Sequence, residues 1–125
     1  MLRVGHSVRV DEVTVVQEYF VAWRRGDAEH LETLLDDAVP ASGPLATVHG
    51  AREHAASLAR SSRMFRDITV DHIVSDGPYV LTWFRFELHS GSTVRAANRC
   101  EVADGVITSI EVTFDPRPLI AEQPT

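Results

Sequence analysis

Along the chain, apolar positions first recur every three to four residues and later every second residue, dividing the pattern into a helical part and a strand part. In the first part Val13, Val16, Tyr19, Phe20 and Trp23 form one stripe behind Asp11, a residue able to cap a helix, and Gly26 ends it. Asp27 then starts a second predicted helix with Ala28, Leu31, Leu34 and Leu35 on one side, giving way near Asp36-Asp37 before Pro40. The segment from Pro40 to Thr47, with Ser42, Gly43 and Pro44, reads as an irregular loop. A third helix begins after Gly50, where His54, Leu58, Ser61 and Phe65 mark the inward face.

From Asp67 onward β-branched and aromatic residues alternate with polar ones, interrupted at Ser75-Asp76-Gly77, Ser90-Gly91-Ser92 and Ala103-Asp104-Gly105. The pattern predicts four antiparallel strands joined by hairpins. Three-residue loops would gather on one face Ile68, Val70, His72, Val74, Val80, Thr82, Phe84, Phe86, Leu88, Val94, Ala96, Asn98, Cys100, Val102, Val106, Thr108, Ile110, Val112 and Phe114. The opposite face would hold Tyr79, Leu81, Trp83, Arg85, Glu87, His89, Arg95, Arg99, Glu101, Ile107 and Glu111, with Glu87 opposite Arg95 and Trp83 beside Arg99. A slip of one residue would exchange the two sets, so the apolar character of the first supports this register. Asp115-Pro116-Arg117-Pro118 stops the last strand, and residues 1–10 and 116–125 are expected to be flexible tails.

Composition narrows the classes of function. At 125 residues the chain is expected to form one domain, 1–125. Its net charge of −6 is spread without blocks, which disfavours nucleic acid and anionic membranes as partners and leaves a hydrophobic small molecule as the expected ligand. All 12 basic residues are arginine, so no side chain is available for Schiff-base chemistry. The single cysteine, Cys100, excludes an internal disulfide, and no stretch reaches the length of a membrane-spanning helix, so a cytoplasmic protein is expected.

Seven polar or polarizable side chains interrupt the inward surfaces: Tyr19, His54, His72, Thr82, Asn98, Cys100 and Thr108. Left unpaired in a core, each would cost about 1–3 kcal/mol, so the set points to mutual hydrogen bonds, water or a ligand. Asn98 stands out because asparagine is depleted in strands. His54 is the candidate general base, since an imidazole titrates near neutrality. No histidine pair has the spacing of a familiar metal site, and no metal or other cofactor is expected. Burial would raise the Cys100 pKa, which suits a structural role.

The strings Val16-Gln17-Glu18-Tyr19-Phe20, Ala22-Trp23, Gly26-Asp27, Leu34-Leu35-Asp36-Asp37, Asp104-Gly105-Val106-Ile107 and Phe114-Asp115-Pro116-Arg117-Pro118, with Gly50 opening helix three, resemble the SnoaL-like members of the nuclear-transport-factor-2-like superfamily. The resemblance implies a cone-shaped α+β, cystatin-like fold with three N-terminal helices on a curved four-stranded antiparallel sheet, and a homodimer through the outer sheet face. Similarity to ketosteroid isomerase implies that Tyr19 and Asn98 donate hydrogen bonds to an enolate oxygen, while that family's catalytic aspartate falls near Ser42, where a serine cannot serve as base. The charged residues of limonene epoxide hydrolase would fall on Phe84, Phe86 and Val112, all apolar.

The expected function is therefore a cofactor-independent isomerase or cyclase acting on a hydrophobic, polyketide-like carbonyl compound. Tyr19, His54 and Asn98 would be catalytic, with Phe20, Trp23, His72, Thr82, Phe84, Phe86, Cys100 and Val112 around the substrate. A non-catalytic binding or dimerisation module is the alternative, and an epoxide-opening or dehydrating enzyme using His54 and His72 is a third.

Overall fold

A computed structural model describes residues 11–122; the expected tail at 1–10 lies outside the described residues. Helix α1 (Glu12–Arg25) begins where the Asp11 carboxylate accepts a hydrogen bond from the Val13 amide at 2.9 Å. Its stripe buries Val15, Val16, Tyr19, Phe20, Ala22 and Trp23. Helix α2 (Ala28–Thr33) is shorter than its apolar pattern predicts. The backbone of Leu34 and Asp36 bonds instead to Ile107, at 2.9 Å in each direction, and this strand-like pairing competes with further helical turns.

The Pro40–Thr47 loop expectation is corrected by a small hairpin of β1 (Pro40–Ser42) and β2 (Thr47–His49). Three-residue strands are too short to display alternation, so their pairing is decided by neighbours rather than by local pattern. Helix α3 (Ala51–Ser61) follows, burying Ala51, His54, Ala55 and Leu58, and a 3₁₀ turn over Ser62–Met64 leads into the main sheet.

The long strands are β3 (Phe65–Asp76), β4 (Tyr79–Leu88), β5 (Thr93–Ala103) and β6 (Val106–Phe114). The sheet therefore has six strands, in the order β2-β1-β6-β5-β4-β3, and it is mixed because β1 runs parallel to β6. Helix α4 (Arg117–Glu122) replaces part of the expected C-terminal tail; its Leu119 is buried, and beside it Arg117 donates to the Asp115 carboxylate at 2.7 Å. Four helices are thus present among the described residues, where three were expected.

The facing of side chains agrees with the expectation through β4 and β5, where Val80, Thr82, Phe84, Phe86, Leu88, Val94, Ala96, Asn98, Cys100 and Val102 are all buried on the inner face, although the pairing itself is displaced by two residues, with Glu87 opposite Thr93. The flanking strands depart from it. The turn between β3 and β4 has two residues, since Asp76 pairs with Tyr79, and a bulge between Val70 and His72 restores the apolar alignment further on. His72 and Val74 consequently pair with Trp83 and Leu81 on the outer face, while Ile73 takes the inward place opposite Thr82.

The turn after β5 also has two residues, Asp104 and Gly105, both with positive φ. A bulge between Glu101 and Val102 compensates, so Ile107 is buried opposite Val102, and Val106 and Thr108 leave the expected inward set. The Thr108 hydroxyl instead donates to the Glu101 carbonyl at 3.2 Å. Shifted pairing across β4 and β5 sets Arg85, not Glu87, opposite Arg95, and Trp83 opposite Ala97. Glu87 meets Arg66 at 3.4 Å, and Arg99 lies over the Tyr79 ring.

Helix α1 is fastened to the inner face by aromatic packing: the Phe20 and Phe84 rings are 4.8 Å apart, and Trp23 lies 5.8 Å from Phe84 and 6.0 Å from Phe65. Such pairs add about 0.5–1.5 kcal/mol each beyond the area they bury. Phe20→Ala should therefore lower unfolding stability by about 3–5 kcal/mol in urea titration. Val21→Ala, on the exposed side of the same helix, should change it by less than about 0.5 kcal/mol.

Candidate active site

Between α1, α3, the β1–β2 hairpin and the inner sheet face lies a cavity of about 180 Å³. Tyr19 reaches it from the middle of α1 and His54 from the first turn of α3, where the His54 amide donates to the Gly50 carbonyl at 3.0 Å. The Tyr19 hydroxyl and His54 Nε2 are hydrogen bonded at 2.9 Å, and their rings lie nearly parallel, 16° apart. Tyr19 is 1% exposed and His54 8%. Asn98 enters from β5, with its Oδ1 accepting from the Cys100 thiol at 3.0 Å.

Tyr19, His54 and Asn98 therefore converge on one cavity, together with Trp23, Phe84, Phe86 and Val112. The remaining expected substrate contacts fall elsewhere. Phe20 is in the core behind Tyr19, Cys100 is fully buried beneath Asn98, and Thr82, the cross-strand neighbour of Asn98, is buried without a hydrogen-bond partner for its hydroxyl. His72 stands on the outer face because of the β3 bulge, so it cannot act with His54.

Several lining residues were not among the expected substrate contacts: Ser57 and Ser61 on α3, the hairpin segment Gly43 to Ala46, Ile110, Phe114 and Leu119. Ser61 was readable as inward-facing, and it accepts a hydrogen bond from the Trp23 indole at 3.0 Å. Leu119 had no signal, since it follows two prolines in what reads as a tail. Ser42, at the place where the resemblance to ketosteroid isomerase would put an aspartate, does line the cavity. Gly43 packs so closely that an added Cβ would come within 2.9 Å of Val112 Cγ1, which holds the hairpin tight against β6.

The electrostatics are those of a neutral site. No Asp, Glu or Arg lines the cavity among the described residues. Burial, with a smaller contribution from Cys100, pushes the Tyr19 phenol well above its ordinary value, and burial brings His54 down to about 4. Burial also pushes the Cys100 thiol up to about 12. All three are uncharged at pH 7, and His54 Nδ1 is buried without a partner. Among the described residues no three His, Cys, Asp or Glu side chains cluster as a metal site would require.

A larger concavity, about 600 Å³, is lined by His72, Leu81, Trp83, Arg99 and Glu111 of the outer sheet face together with Thr82, and it shares Ser42, Gly43, Asn98 and Val112 with the inner cavity. It contains neither Tyr19 nor His54. Its charged groups, Arg99 and Glu111, are exposed, whereas Tyr19 and His54 of the smaller inner cavity are buried and act in a low-dielectric setting.

Helices packed on one face of a curved mixed sheet, around a cavity reached from the first and third helices, define the nuclear-transport-factor-2-like class. The SnoaL-like domain family matches residues 16–110, and the chain belongs to that family. Among solved structures it is similar to a nuclear-transport-factor-2-like protein of unknown function from Cytophaga hutchinsonii, at 22% identity and a TM-score of 0.80, over 90% of this chain and 97% of that one. It is also similar to a limonene-epoxide-hydrolase-like epoxide hydrolase from M. tuberculosis, at 21% identity and a TM-score of 0.73, over 88% and 86% of the two chains. A third is a putative isomerase of the SnoaL-like family from Agrobacterium tumefaciens, at 15% identity and a TM-score of 0.70, over 83% and 97%. At these identities the likeness is one of fold. No curated protein sequence matches significantly.

His54 links the site to folding stability. Its pKa is lower in the folded chain than the unfolded value of 6.5, so the unfolded chain takes up a proton first as pH falls. Stability from this residue is complete above pH 6.5 and is lost progressively down to about pH 4, for a total of about 3 kcal/mol. Urea titrations across this range should show the slope, and His54→Gln should remove it.

Proposed function

We propose that the chain is a cofactor-independent acid–base enzyme that shifts a proton on a neutral carbonyl compound. The observation that carries this reading is the Tyr19–His54 hydrogen bond at the wall of an apolar cavity that also holds Asn98. An imidazole brought down to about 4 has the basicity of an ordinary carboxylate, and a carboxylate is the base of isomerases with this architecture. His54 thus supplies in strength what Ser42 lacks.

With His54 as the tautomer protonated on Nδ1, the Tyr19 hydroxyl donates to Nε2, and the base acts through the phenol. The α C–H bond of the substrate breaks as its proton passes to Tyr19 Oη, and the Tyr19 proton moves to His54 Nε2. The C–H electron pair forms the enolate double bond, and the carbonyl oxygen takes the negative charge beside the Asn98 amide. Reversal of the relay returns the proton, to the same carbon or to another. Concerted transfer suits this pair, since neither a free phenolate nor a long-lived imidazolium is stable at such burial.

The test is exchange of α-hydrogens of cyclohexyl methyl ketone in deuterium oxide, followed by NMR. Tyr19→Phe and His54→Gln should each slow exchange by about a hundredfold, and Asn98→Ala by at least about tenfold. Exchange by the unaltered protein should lose its acid limb near pH 4 rather than near 6.5. Exchange no faster than in buffer, or indifferent to these substitutions, leaves a binding module as the better reading.

A homodimer through the outer sheet face is the partner this proposal includes. Support comes from Leu81 and Trp83, 44% and 43% exposed, beside Val74, and from arginines and acids interspersed on the same face, a pattern that a second copy turned by a two-fold axis can match. Sedimentation should find a dimer at micromolar concentration that Trp83→Glu dissociates. A monomer throughout would refute this interface.

A further inference from the structure

The same cavity limits what can bind, and we infer that its ligand is an uncharged molecule of single-ring size, about ten non-hydrogen atoms, carrying one or two hydrogen-bonding oxygens. This rests on the cavity being the ligand site assigned above, and its first support is volume. At about 180 Å³ the space is close to the roughly 150 Å³ of an engineered apolar cavity that holds benzene, and it lies below the range of about 300–1,000 Å³ usual for drug-sized ligands. Three or four fused rings exceed that volume, so a ligand of the polyketide-like size expected from the resemblance would have to project out of the cavity.

Rigidity makes the limit firm. The far wall is Trp23, Phe65, Phe84 and Phe86, interlocked at ring separations of 4.5–6.2 Å. The near wall has little room to retreat at Val112, because Gly43 lies against it with no space even for a Cβ.

Charge supplies the second support. No cationic side chain among the described lining residues could receive a carboxylate or phosphate, and no acid could receive an amine. A buried ion without a partner is strongly disfavoured, whereas a neutral oxygen can use the donors at hand. The polar groups are few and local: the Tyr19 hydroxyl, the neutral His54 imidazole, the Asn98 amide and the hydroxyls of Ser42, Ser57 and Ser61. One or two oxygens on an otherwise apolar body match that distribution.

Binding can be read from Trp23 itself. The chain has two tryptophans, and Trp83 is on the outer face, so W83F leaves Trp23 in the cavity wall as the reporter. Three probes are titrated at pH 7: cyclohexyl methyl ketone, cyclohexanecarboxylate, which has the same size but a charge, and progesterone, a tetracyclic ketone. The ketone should give a saturable change in Trp23 emission, with the carboxylate and progesterone each at least about tenfold weaker. Val112→Phe, which fills the cavity, should weaken the ketone by a similar factor, and Ser57→Phe provides the same obstruction from α3.

No saturable ketone signal, a carboxylate binding as tightly as the ketone, or progesterone binding as tightly as either would overturn the inference. Ketone binding without hydrogen exchange would keep it while sinking the acid–base reading. Hydrogen exchange without selectivity for size and charge would do the reverse.

Discussion

Strand side chains alternate strictly between two faces, and in this protein four long strands must keep one of those faces apolar although the turns joining them differ in length. Two-residue turns after β3 and β5 would on their own place polar residues against α1. Bulges at Val70/His72 and Glu101/Val102 absorb the difference. They also increase local twist and bend the strands that carry them, which suits a sheet wrapped around helices. The whole inner face, from Ile68 to Ile110, depends on those two irregularities.

On that face the energetic problem is the polar minority. Tyr19, His54, Thr82 and Asn98 are buried among aromatic and aliphatic side chains, and only some of their hydrogen-bonding capacity is used. The Tyr19–His54 and Cys100–Asn98 bonds satisfy part of it. A purely structural core could hold apolar groups at these positions at little cost, so polar groups beside open volume are what makes this cavity the candidate site. Neutrality follows from the same burial: desolvation drives the phenol and thiol pKa values up and the imidazole down, leaving a cavity that offers hydrogen bonds without offering charge.

The architecture around the cavity is asymmetric in its sources. Trp23, Phe84 and Phe86 come from long elements with strong periodicity, whereas the hairpin of β1 and β2 and the short helix α4 come from segments whose sequences carry almost none. Those two pieces stand beside the cavity through a few tight contacts, Gly43 on Val112 and the buried Leu119.

By itself the sequence determined α1 and α3, the existence of the four long strands, the inner faces of β4 and β5, and the identity of Tyr19, His54 and Asn98 as polar residues in apolar company. Periodicity over ten or more residues and the cost of burying polar atoms are local properties, and both can be read along a chain. Tertiary structure alone decided that these three meet at one cavity, that Tyr19 holds His54 Nε2, that His72 faces away, and that segments 40–49 and 117–122 complete the walls. Each of those outcomes turns on one bulge, one short pairing or one long-range contact, whose energy comes from partners distant in sequence and leaves no periodic trace.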